Sequence, residues 1–140
     1  MDVNSDIVTL SFQDIGFDEF LADLVKAIQV TNYRVVKIVN VDNIHMRTNL
    51  DPNLNIGFKN YKIVEICNLM NCNEIISSDL RAGVFMPVRF SVYQPNKSNE
   101  ILVSYLRPLA VAKLFGSARM LKAAKGIEND MAEIIATASF

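Results

Sequence analysis

The chain has 140 residues, of which 51% are hydrophobic and 21% charged, with a formal net charge of -1 at pH 7 and a pI near 5.8. This length accommodates one domain, residues 1–140, with a core of its own, and the composition excludes an intrinsically disordered chain. Lysines and arginines are scattered through a slightly acidic sequence, so the basic footprint of a nucleic-acid binder is absent.

The opening stretch carries Asp2 and Asp6 where a secretory signal would carry lysine or arginine. No run approaches the roughly 18 continuous apolar residues of a spanning helix. The expectation is a soluble, cytoplasmic protein with no membrane partner. In residues 6–12, Ile7, Thr9 and Ser11 alternate with Val8, Leu10 and Phe12, which predicts a strand. Asp14 or Gly16 then caps a helix running to about Asn32, with Phe17, Phe20, Leu21, Leu24 and Ile28 on one face. Asp18 and Glu19 lie in its first turn, where the helix dipole favours them.

Residues 33–41 are rich in β-branched side chains and predict a strand at the centre of a sheet. Residues 61–67 predict a third strand and 70–80 a short helix. Residues 84–93 and 100–106 predict a hairpin across a turn-rich stretch, with Pro87 marking an edge position or a bulge. Pro108 starts a short helix through Phe115, Gly116 and Ser117 break it, and the last helix begins at Ala118. That helix buries Leu121, Ala124, Ile127, Met131, Ile134, Ile135 and Ala138. The order β-α-β-β-α-β-β-α-α predicts an α+β domain: an antiparallel sheet of about five strands with helices packed on one face.

Residues 42–60 fit that scheme poorly. They hold Asn43, Asn49, Asn53, Asn55 and Asn60 together with Pro52 and Gly57, and keep no sustained period. A connection of this length is usually a functional loop or an arm. Ile44, Met46, Leu50, Leu54, Ile56 and Phe58 are too apolar for a merely solvated loop, and a second subunit is the expected cover, giving a homodimer.

The most informative segment is 61–94, YKIVEICNLMNCNEIISSDLRAGVFMPVRFSVYQ. Cys67 and Cys72 lack the C-x-x-C spacing, and a single histidine is all that could join them in a zinc site. They read as reduced, partly buried thiols. Asn68 turns strand into helix, its side chain bonding the backbone. The Cys67-Asn68 pair, followed by Gly83-Val84-Phe85-Met86-Pro87-Val88-Arg89, resembles the domain-of-unknown-function 302 family, in which a Cys-Asn pair and a later glycine leading into Leu-Pro-Cys-Arg recur. Two positions depart from that pattern: Val88 stands in place of the motif cysteine, and Asn43 where many members carry histidine, with His45 just beyond. The resemblance runs from the first helix to about Ile135. It implies a fold like the TATA-binding-protein sheet and helices, assembled as a homodimer, and it brings an association with haem binding and bacterial sulfur metabolism. The fold likeness does not carry DNA binding with it.

His45 is the only histidine, which excludes a Ser-His-Asp order and a two-imidazole relay. One imidazole can still serve as an axial ligand of haem iron, because the porphyrin supplies four ligands itself. Ile44, Met46 and Leu50 flank it, and Arg47 and Arg34 suit the propionates. Met46, Met86 or Cys67 could occupy the sixth position. Asp42 and Glu65 form no hydrolase pair, the glycines make no phosphate loop, and Arg89 reads either as an anchor for an anion or as part of a solvated strand face. The expectation is therefore a non-enzymatic, dimeric haem-b protein for electron transfer or gas or redox sensing. His45 would be the iron ligand, with Met46, Arg47 and Arg34 around the cofactor and a small-molecule or redox partner. The alternative is a cofactor-free dimeric interaction or small-ligand-binding module; a third reading is an enzyme acting through a Cys67 thiolate.

Overall fold

Alternation of apolar and polar side chains builds the sheet. In a computed structural model that describes residues 1–47 and 49–139, β1 (Ile7–Phe12), β2 (Arg34–Asn40), β3 (Phe58–Cys67), β4 (Val88–Pro95) and β5 (Ile101–Leu106) form one sheet. All neighbouring strands are antiparallel, and their order is β1-β5-β4-β3-β2. The period of two puts Val64 and Ile66 of β3, Val88, Phe90 and Val92 of β4, and Ile101 and Val103 of β5 on a single buried face. The other face carries the register pairs Tyr61↔Tyr93, Ile63↔Ser91 and Glu65↔Arg89. No described helix buries itself against it, so the helices lie on one side, as the α+β pattern predicts.

Among the described residues five α-helices accompany the sheet: α1 (Val3–Asp6), α2 (Phe17–Val30), α3 (Leu69–Ser78), α4 (Pro108–Ala112) and α5 (Ala118–Ala138). The apolar stripe of α2, Phe17, Phe20, Leu24, Ala27 and Ile28, is buried, and α5 packs against α2, α3 and α4. Local chemistry sets the ends. Gly16 is the N-cap of α2, the Asn68 carboxamide accepts from Asn71 N at 3.3 Å to cap α3, and Ser117 Oγ accepts from Met120 N at 3.2 Å to cap α5. Gly116, with φ 68°, takes the left-handed turn that separates the α4 region from α5. Among the described residues no helix is long and apolar enough to cross a membrane.

Several sequence-based expectations need correction. β2 lies at the sheet edge, not its centre; β-branched content reports a strand but not its rank in the sheet. It carries the features of a protected edge, with Arg34 and Lys37 on it and an irregularity between Val35 and Lys37. Pro87 marks neither an edge nor a bulge: it follows a cis Met86-Pro87 bond and immediately precedes the central strand, so its missing N–H costs no ladder bond. The 70–80 helix begins at Leu69 and ends at Ser78, and a separate 3-10 helix spans Leu80–Val84. In α5, Met120 is fully buried where Leu121 was expected, and Leu121 is only half-buried. The two ends of the 42–60 stretch are structured: a 3-10 helix covers Val41–Met46, and β3 begins at Phe58.

Candidate functional site

The register of the sheet assigns the expected site residues to its two ends. His45 belongs to the end where β2 finishes and β3 begins. Its Nε2 lies 2.8 Å from Phe58 O, and because a carbonyl only accepts, Nε2 carries the proton and donates. The ring meets Phe58 edge-on, with centroids 5.6 Å apart. Phe58 and Tyr61 follow at 5.3 Å, and Tyr61 stacks on Tyr93 at 5.2 Å and 13°. Beside this run, Asp42 accepts from Tyr61 N at 3.2 Å and pairs with Lys62 at 3.1 Å. His45 and Asp42 therefore pin the Val41–Met46 turn to β3.

Met46 and Arg47 are exposed beside His45, but Arg34 opens β2 at the opposite end. Seven residues of extended strand, Arg34–Asn40, put roughly 20 Å between them. The structure thus brings His45, Met46 and Arg47 near one another and leaves Arg34 apart. Nε2 is engaged by a carbonyl and Arg34 lies at the far end of β2, so His45, Met46, Arg47 and Arg34 do not converge on one point of the chain. Nor, among the described residues, does any group of three or more His, Cys, Asp or Glu side chains stand ready for a metal ion.

The other end of the sheet holds a better-formed site. There the Leu80–Val84 turn and the residues leading into β4 face the start of α4. Val84, Phe85, Pro87, Val88, Leu106, Pro108 and Val111 wall a cavity of about 320 Å³, with Arg89 at its rim. A second lobe of about 340 Å³, bounded by Arg81, Leu114 and Phe115, shares Val84 and Val111 as a common wall. Arg89 Nη2 meets Glu65 Oε2 at 3.0 Å, and the arginine remains 54% exposed; the other donors of its fork are free for an anion. Asp79 shapes the wall. It accepts from Arg81 N at 3.0 Å and pairs with the Arg81 guanidinium at 2.7 Å, and these bonds hold its carboxyl down at about 2.

At this same end Cys67 closes β3, with its Sγ 2.7 Å from Cys72 Sγ in α3. Tyr33 Oη donates to Asp130 Oδ2 at 2.7 Å and receives Asn71 Nδ2 at 3.4 Å. Burial, then the bond to Asp130, push the phenol well above its ordinary range. The walls Phe85, Leu106, Pro108 and Val111 were missed by reasoning from sequence, because apolar residues at strand and helix ends read as core. The signal available was the run Gly83 to Arg89, which has no strand period in its first half.

An antiparallel sheet covered by helices on one side defines the α+β class. Within that class the chain belongs to the family described as Domain of unknown function DUF302, whose profile matches residues 8–138. The fold is similar to that of an uncharacterized conserved DUF302 protein from Bacillus stearothermophilus, known from a crystal structure, with a TM-score of 0.79 at 19% identity, covering 96% of this chain and 98% of that one. None of the curated proteins matches the chain.

Proposed function

We propose that this protein is a dimeric, non-enzymatic small-ligand-binding module whose ligand is a compact amphipathic molecule with an apolar body and an anionic end. One observation carries the reading: the Gly83–Arg89 run, through which the chain resembles its family, supplies Val84, Phe85, Pro87, Val88 and Arg89 to a single cavity. At about 320 Å³, with apolar walls and a single charged group, it sits at the small end of ligand pockets. The apolar body would displace water from Val88, Leu106 and Val111, while the Arg89 fork, already oriented by Glu65, would take the carboxylate or similar group. Val84 and Leu114, at 84% and 71% exposure, flank the mouth, and Met46 stands 78% exposed on the opposite side.

The test uses octanoate and its neutral isostere octanol, followed by amide chemical shifts. Octanoate should perturb Val84–Arg89 and Leu106–Val111 first. Arg89→Gln should weaken octanoate about tenfold or more while leaving octanol unchanged, as expected for a charged hydrogen bond. Val84→Trp, placed at the exposed mouth, should block both. Shifts that scatter over the surface, or that survive Val84→Trp, would reject the cavity. Haemin is titrated in the same series: a Soret band that disappears in His45→Ala would replace this proposal with haem ligation.

A further inference from the structure

The step from β3 into α3 holds both thiols of the chain against each other. Cys67 is the last residue of β3 and Cys72 lies within the first turns of α3. Cys72 N donates to Asn68 O at 2.9 Å, so strand and helix geometry set both backbone positions before any side-chain torsion is chosen. Both cysteines are free thiols and half-buried, with their sulfurs 2.7 Å apart. Val88, at the position of the family motif's cysteine, points instead into the helix-covered face opposite Ile66. The second sulfur beside Cys67 therefore comes from α3. Cys67 also borders an open hollow of about 470 Å³ with Asn32, Tyr33, Arg34, Asn68 and Leu69. Arg34, its register partner on β2, gives that hollow a cationic wall.

We propose that Cys67 and Cys72 form a reversible redox dithiol that exchanges with a small anionic disulfide of the glutathione type. The Cys67 thiolate attacks one sulfur of the incoming disulfide, whose S–S bond breaks and expels a thiolate that takes a proton from water. Arg34 offers its fork to the carboxylates of the half that stays bound. Cys72 then gives its proton to solvent and attacks Cys67 Sγ, forming the Cys67–Cys72 bond and expelling the second small thiol. Two electrons and two protons leave the protein, and one small disulfide becomes two thiols.

The order of attack follows from exposure and charge. Burial first, then the hydrogen bond that the Cys72 S–H donates to Cys67 Sγ and the Cys67 charge, push the Cys72 thiol up to about 12, so Cys72 does not initiate. Two of those three causes come from Cys67 itself and vanish once Cys67 is in the mixed disulfide.

The experiment equilibrates the full chain across ratios of reduced to oxidised glutathione, native and in urea, then quenches with acid, tags the remaining thiols with a maleimide and reads intact mass. The native chain should lose both tags together and retain no glutathione. Its half-oxidation ratio should be at least about tenfold more reducing than that of the urea-unfolded chain, which corresponds to about 30 mV. Native Cys72→Ser should stop with one glutathione on Cys67. Equal midpoints in native and unfolded chains, two thiols that persist in oxidised glutathione, or disulfides between chains would each overturn the proposal. The wild-type comparison decides it even if the serine variant does not fold.

Discussion

Phe90 sits on the central strand at 0% exposure and meets Tyr105 edge-on at 5.4 Å. Nothing in solvent can fill the space it would vacate, so Phe90→Ala should cost about 3–5 kcal/mol, measured by urea denaturation; a loss under about 1 kcal/mol would mean the site collapses around the change. Asp79 makes a different kind of claim. Its carboxyl is depressed to about 2 by bonds to the Arg81 side chain and backbone. A depressed carboxyl contributes stability above its unfolded value near about 4, and that contribution is lost as pH falls through about 2. In the folded protein the amide shifts of Arg81 and Ala82 should titrate with a midpoint of about 2 as the Leu80–Val84 wall loses its cap. Asp79→Asn keeps the oxygen that accepts from Arg81 N and should show little movement over the same range. His45 illustrates how far residue identity can be read. Its uniqueness was plain in the sequence, but its bond to Phe58 O was not, because the acceptor is a backbone atom thirteen positions away.

The helices α2 and α5 were legible because a 3.6-residue period is local: each stripe needs only its own neighbours to be recognised. What joins elements was less so. Glu128 of α5 accepts from Arg107 Nε at 3.2 Å and Nη2 at 3.1 Å, and its other oxygen accepts from Leu109 N at 3.3 Å. One carboxylate thus ties the end of β5 and the start of α4 to the last helix, beside the cavity wall. Glu128→Ala should lower stability by about 1–3 kcal/mol by leaving those donors unsatisfied, with Glu128→Gln falling between; equal urea midpoints for all three would show the contact to be incidental. The rank of β2 was misread for a related reason. Edge strands are recognised by inward and flanking charge and by irregular register, and the charges Arg34 and Lys37 were outweighed by the β-branched run around them.

For the molecule as a whole, joining Cys67 to Cys72 closes a very short loop, so oxidation should raise stability by only about 2 kcal/mol in the chain-entropy picture. Thermal unfolding of oxidised and reduced protein checks this, and a lower midpoint on oxidation would reveal strain at the β3–α3 step. Composition, period and capping residues were enough to establish a one-sided α+β domain and the identity of its two main amphipathic helices, since those signals act between residues a few positions apart. Strand order and the cavity walled by Val84, Val88, Leu106 and Val111 required the assembled chain. Each depends on which distant segments become neighbours, and neighbours of that kind are selected by the packing of the entire sheet against α2 and α5 rather than by any local pattern.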